Sequence, residues 1–274
     1  MKVAIIGAAG KMGSWFASYF ARKGYDVMAY DVKPFSAGVA KAKSVADCVR
    51  DADLAMICVP VRHTPALIRQ CASMKPGSVI AEISSVKSKT FPALKKVPSS
   101  IGTLCIHPMF GPGASEKKQL KVLLVPVRNT QLEMKTAQGL FGNMAITALL
   151  DARTHDRAIA AVLGLTYFVN VAFAGIMSRE KLQTLKEVGG TTFGIQSMLA
   201  ESVMTDEPEL ILALLRDNPH SAIYIKQYLA SAQGLARLAR EGKLKGRLKK
   251  TKAGLQKQQD LQASYRRMYE ILDK

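Results

Sequence analysis

Apolar runs of five or six residues, most of them closed by a glycine, a proline or a charged residue, recur through the first 150 positions. They fall at 2–7, 26–31, 54–59, 78–83, 103–107, 122–127 and 145–150, and several are almost continuously apolar, as strands covered on both faces are. Helical spacing fills the gaps between them. This alternation predicts an α/β unit with a doubly wound, Rossmann-like sheet. After Asp151 the β-rich runs stop, and leucine, alanine and long charged residues take over at helical intervals. The last of these segments sets Leu261, Tyr265, Met268 and Leu272 on one stripe. The expected division is therefore a domain at 1–151 and an all-helical domain at 152–274.

One stretch needs a separate reading, because positions 158–177 hold 20 residues without a charge, enough to cross a bilayer. Gly164, Thr166, Asn170 and Gly175 dilute it, so burial inside protein is expected and no membrane partner. The N-terminus, with one lysine and a short apolar run ending at glycines, reads as a first strand and not as a signal peptide. Cys48, Cys58, Cys71 and Cys105 show no CxxC or Cys/His ligand spacing, which predicts reduced thiols, no metal site and a cytoplasmic protein.

Composition changes the picture in one respect. Lys and Arg number 39 against 21 Asp and Glu, a formal charge of +18, so the partner is expected to be anionic. Positions 237–252 concentrate eight basic residues against Glu241 alone, yet no aromatic residue interleaves them and no DNA-binding motif appears. A solvated helical face is the expectation there, with no nucleic acid bound.

The first predicted strand runs straight into Gly7, Ala8, Ala9, Gly10, Lys11, Met12 and Gly13, followed by a helical segment. Glycines at such a turn let backbone N–H groups reach a pyrophosphate at the positive end of a helix. The next strand ends in Asp31, whose carboxylate can accept hydrogen bonds from a ribose 2′-hydroxyl and would repel a 2′-phosphate. NAD is the expected cofactor, with NADP the alternative because Lys33 lies close. Val59 and Pro60 end a strand on the expected ligand edge, where Arg62 and His63 follow as a solvated pair.

Of the histidines at 63, 107, 155 and 220, only His107 closes a predicted strand within a loop stiffened by Pro108, Gly111, Pro112 and Gly113. A neutral imidazole there suits general-base work near neutral pH. The strand before it ends in Ser84 and Ser85, so Ser85 and His107 are expected to address one substrate hydroxyl together.

The combination of GAAGKMG, Asp31, CVP at 58–60, SSVK at 84–87, HPMFGP at 107–112 and HDR at 155–157 resembles the prephenate dehydrogenase (TyrA) family. The resemblance implies a Rossmann domain with a helical dimerisation domain, hence a homodimer. It also implies oxidative decarboxylation of prephenate, a small anionic molecule, to 4-hydroxyphenylpyruvate in tyrosine biosynthesis, with hydride passing to NAD or NADP. Within it His107 matches the residue that accepts the proton of the ring hydroxyl, and Ser85 the serine that bonds the same hydroxyl. The helical segment departs from the family's pattern, because no basic residue stands where an arginine would bind the substrate carboxylate. Lys186 or Arg216, with Ser84 nearer the strands, are the candidates for that contact. Arogenate and 4-amino-4-deoxyprephenate are alternative substrates. A 3-hydroxyacid dehydrogenase is disfavoured because 158–177 holds no lysine, and an NAD-sensing regulator is the alternative without catalysis.

Overall fold

The computed structural model describes residues 1–36, 38–115 and 119–272, with the side chain of Leu272 outside them. The chain divides into two compact units, Met1–Ile159 and Ala160–Lys274.

In the first unit, strands β1 (Lys2–Ile6), β2 (Asp26–Tyr30), β3 (Ala40–Lys41), β4 (Leu54–Ile57), β5 (Val79–Glu82), β6 (Gly102–Pro108), β7 (Lys121–Leu124) and β8 (Ala145–Ala148) form one sheet. Its order is β3-β2-β1-β4-β5-β6-β7-β8. All neighbouring pairs are parallel except β6 and β7, which run antiparallel with His107 opposite Leu123. The expected strands are all present, and β3 is an addition. Two exposed residues at the sheet edge carry no apolar signal.

Alternation along the strands feeds two cores. Val3, Ile5, Leu54 and Met56 face α1 (Lys11–Arg22) and α5 (Thr130–Phe141), whose Phe16, Phe20, Ala137 and Phe141 complete one cluster. Ala4, Ile6, Ala55 and Ile57 face α2 (Val45–Val49), α3 (Thr64–Cys71) and α4 (Phe91–Lys95) through Cys48, Ile68, Cys71 and Leu94. Helices on both sides leave the carboxyl ends of β1, β4, β5 and β6 along one edge.

Helix α6 (Ala152–Ile159) starts where Asp151 accepts the Thr154 N–H at 2.6 Å, capping its first turn. The sequence placed the domain boundary before this helix. Compactness puts it after Ile159, because His155, Asp156 and Ile159 are buried in the first unit. All four cysteines are free, with Cys48, Cys71 and Cys105 buried.

The second unit is helical: a π-turn segment (Ala160–Gly164), α7 (Leu165–Met177), α8 (Leu182–Val188), α9 (Thr191–Val203), α10 (Pro208–Leu212), a second π segment (Ala213–Asp217), α11 (Ser221–Arg240), α12 (Leu244–Gln256) and α13 (Leu261–Leu272). A side chain at Gly164 would meet the Ser221 hydroxyl at 2.7 Å, so the glycine lets that hydroxyl pack and bond the Leu214 carbonyl at 2.6 Å. The expected burial of the uncharged run does not hold within this chain. The helical stretch Ala152–Met177 is long and apolar enough to span a membrane, and 22% of its most apolar window is buried. Basic helix α12 has no buried residue.

A methyl group on Gly13 would lie 1.9 Å from the Gly7 carbonyl oxygen, whereas one on Gly139, inside α5, would meet nothing within 4 Å. Gly13→Ala is therefore expected to cost about 1–3 kcal/mol by overpacking, and Gly139→Ala to stabilise by about 0.5–1 kcal/mol through helix propensity. Urea midpoints of the two variants, moving in opposite directions, check both.

Candidate active site

The turn from β1 into α1 is shaped by close backbone approach. Gly7 has φ +96°, and a Cβ there would sit 2.5 Å from the Cys58 carbonyl oxygen and 2.8 Å from a methyl of Val59. Gly7 and Gly13 thus bring the end of β1 against the end of β4 and the first turn of α1. Val59 packs on the turn, while Pro60 is exposed beyond it. Gly10 caps α1 without a side chain, leaving the amides of Lys11, Met12 and Gly13 as the first-turn donors of a 12-residue helix with no acidic residue in that turn. Asp31 is drawn to the same place: Oδ2 accepts the Ala9 N–H at 2.9 Å, and Oδ1 accepts the Lys33 N–H at 2.9 Å. Each carboxylate oxygen keeps a second lone pair for a hydroxyl donor. Arg62 and His63 bond one another at 3.0 Å on the surface.

Three strands along the same edge, a second cluster is built from β5, β6 and α6. Lys87 is wholly buried; its Nζ donates to Glu82 Oε1 at 2.7 Å and to the Ile106 carbonyl at 2.5 Å. Glu82 also accepts the Ser84 N–H at 2.9 Å and the Cys105 thiol at 3.1 Å. The backbone amides of Lys87 and Ser88 then donate to the two oxygens of Asp156, both at 2.8 Å. Asp156 Oδ1 lies 2.9 Å from His155 Nδ1, and His155 Nε2 lies 3.0 Å from His107 Nδ1.

His107 is 4% exposed, so most of its ring is packed within the protein. Its Nε2 has no hydrogen-bond partner among the described residues. Phe110 and Ala114, on the loop that follows, reach the glycine-turn helix: the Phe110 and Trp15 rings are 4.9 Å apart, and Trp15 Nε1 lies 3.4 Å from the Ala114 carbonyl. Ser84 is buried and shares a 3.2 Å bond with Thr64, whereas Ser85 is half-buried with its hydroxyl unbonded among the described residues. In the second unit Lys186 pairs with Glu201 at 2.7 Å and Arg216 with Asp217 at 2.7 Å, so both basic candidates already face a carboxylate.

Residues 16–139 match the family described as prephenate dehydrogenase, nucleotide-binding domain. The N-terminal unit is similar to the nucleotide-binding domain of prephenate dehydrogenases. The matched stretch begins inside α1, just past the glycine turn, and contains Asp31, Ser85 and His107.

Curated relatives match longer stretches of the chain. A probable arogenate/prephenate dehydrogenase of Methanocaldococcus jannaschii is 25% identical over 65% of this chain and 42% of its own length. A 4-amino-4-deoxyprephenate dehydrogenase of Streptomyces pristinaespiralis is 28% identical over 62% of this chain and 60% of its own. The chain thus matches about half the length of these curated relatives. Among solved structures, prephenate dehydrogenase of A. aeolicus, crystallised with hydroxyphenyl propionate and NAD+, superposes with a TM-score of 0.70 at 19% identity, covering 94% of this chain and 98% of that one. The fold is shared along nearly the whole chain.

His155, Asp156 and Lys87 stand in the motifs HDR and SSVK without an expected role, and Glu82 has none either. The adjacent His-Asp pair opening an amphipathic helix was the available signal. Burial holds the His107 pKa well below the ordinary histidine value, and the neighbouring His155 and Lys87 push the same way. Burial also lowers His155, against the opposing pull of Asp156. Burial works against charge on Asp156, but its bonds from His155, Lys87 and Ser88 outweigh that, and the carboxyl sits below its usual range.

Both imidazoles are thus neutral in the folded protein under conditions in which the unfolded chain, titrating near about pH 6.5, gains protons. Their contribution to stability is complete above that pH and is lost as the pH falls toward the depressed folded values. Urea unfolding at about pH 7 and about pH 5 should show this loss, and His107→Gln should make it smaller. An equal loss in both proteins would take His107 out of the titration.

Proposed function

We propose that this chain is an NAD-dependent dehydrogenase that oxidatively decarboxylates prephenate to 4-hydroxyphenylpyruvate, a step of tyrosine biosynthesis. The observation that carries this reading is the Nε2 of His107, unbonded among the described residues and on the same sheet edge as the glycine turn. The turn fits a dinucleotide, because the first turn of α1 presents backbone amides and holds no acidic residue that would repel a pyrophosphate. The α1 amides of Lys11, Met12 and Gly13 hold the pyrophosphate, with Gly7, Ala9 and Gly10 shaping the approach. Asp31 takes the ribose hydroxyls, which favours NAD over NADP, and Val59 and Pro60 border the nicotinamide end. When bound, NAD supplies the acceptor for the hydride.

His107 Nε2 takes the proton of the ring hydroxyl as the carbon bearing it loses hydride. Departure of CO₂ leaves its bonding electron pair to the ring, which becomes aromatic, and the phenolic oxygen recovers a proton. Ser85 donates to the same oxygen and holds it in line. Because aromatisation drives the reaction, the protein's task is positioning and proton handling.

Arogenate and 4-amino-4-deoxyprephenate remain the alternative substrates, since relatives bear those names and both basic candidates, Lys186 and Arg216, are paired with carboxylates. Ile176, Val188, Met198, Met204, Leu212 and Ile223 are exposed in the second unit. A surface this apolar suits a homodimer formed through the helical unit, and the free thiols suit a cytoplasmic protein. A sedimentation mass of one chain at micromolar concentration would overturn the dimer.

Supplying prephenate, arogenate and 4-amino-4-deoxyprephenate in turn with NAD or NADP, and following absorbance of the reduced nicotinamide, tests the activity. Turnover is expected with prephenate and NAD, and none with any pair would end this reading. His107→Asn is expected to lower kcat by about 10²- to 10⁴-fold with NAD affinity nearly unchanged. A parallel loss of NAD binding, measured by calorimetry, would contradict the assignment.

A further inference from the structure

We infer that His155 and Asp156 are positioning residues that set the tautomer of His107 and store the proton it takes up; the activity arm of this inference rests on the function proposed above.

The direction of every bond in the chain follows from its far end. Asp156 accepts backbone N–H groups from Lys87 and Ser88, an arrangement suited to a carboxylate. A carboxylate has no proton to give, so His155 Nδ1 must be the donor across their 2.9 Å contact. A neutral ring with a proton on Nδ1 carries its lone pair on Nε2. His155 Nε2 therefore accepts, and His107 Nδ1 donates, across 3.0 Å. That leaves the lone pair of His107 on Nε2, the nitrogen without a partner among the described residues. The other tautomer would put a proton where the base must be empty. An anchored carboxylate two imidazoles away thus prepares the acceptor.

The same chain accommodates the proton once it arrives. Uptake at His107 Nε2 makes an imidazolium whose Nδ1 proton faces the lone pair of His155. Transfer across that contact breaks the His107 N–H bond, forms one at His155 Nε2, and moves the positive charge beside Asp156. The reverse transfer returns the proton to the phenolic oxygen, so no proton is gained or lost. The other charged groups around the cluster are Lys87, which would repel a cation on His107, and Glu82, which is paired with Lys87 and bonded by the Cys105 thiol. Transfer therefore brings the charge beside the Asp156 carboxylate, 2.9 Å from His155 Nδ1.

Nitrogen NMR of the full chain labelled in its imidazoles, with each histidine assigned by single substitution, tests the tautomers without substrate or cofactor. In the wild type at neutral pH, both His107 and His155 are expected to carry the proton on Nδ1, with Nε2 bare. A proton on His107 Nε2 would overturn the inference. Asp156→Asn is expected to move the His155 and His107 protons to Nε2 and to lower kcat on the order of 10³- to 10⁴-fold, with KM and NAD affinity within about twofold. Unchanged tautomers in a folded Asp156→Asn would also overturn it, and should that variant not fold, the wild-type spectrum decides. Expected tautomers with no turnover of any cyclohexadienol would uphold the relay and overturn the proposed function instead.

Discussion

The ion pair between Glu82 and Lys87 is the constraint on which the site depends. Removing both charges from water is expensive, and a buried pair of this kind adds little or nothing to stability over well-packed apolar residues. What it does is fix conformation. Lys87 Nζ reaches both the carboxylate at the end of β5 and the Ile106 carbonyl on β6, so the segment from Ile83 to Ser88 has one way to lie. That path points the amides of Lys87 and Ser88 at Asp156, which docks the start of α6 against the sheet. His155 and His107 fall into line behind it. A leucine in place of Lys87 would satisfy the volume and lose the address.

A second constraint acts at the other end of the same edge. Gly7 and Gly13 let three backbones approach more closely than any side chain allows, and the two-sided core holds them there. The glycine turn and the histidine pair stand on different strands, but Trp15, Phe110 and Ala114 tie their loops together. The antiparallel β7 contributes as well. By returning beside β6 it holds both ends of the loop that follows His107 within one pair of strands.

Much of this was legible in the sequence, for physical reasons that differ by element. Strands covered on both faces must be continuously apolar, which is why seven of them stand out, whereas β3 covers nothing and leaves no trace. The glycine turn is readable because backbone proximity demands particular residues in a fixed order. His107 could be singled out by its place at a strand end. His155 and Asp156 could not, because their meaning lies in a contact between positions 107 and 155 that spacing does not encode. The same holds for Lys87, which as a lone lysine in a loop reads as solvated and is among the most deeply buried large side chains. The apolar run at 158–177 was read for its composition, and the helices packed on it within the second unit leave most of it unburied.

The unpaired thiols have a practical consequence. Cys48 lies on the buried face of α2, Cys71 at the end of α3 and Cys105 on β6, with burial pushing Cys48 and Cys71 up to about 12 and Cys105 higher than an ordinary thiol. An alkylating reagent can reach them only when the surrounding element opens. Their labelling kinetics would act as separate clocks for local unfolding, and Cys105 would time the loosening of the strand that carries His107.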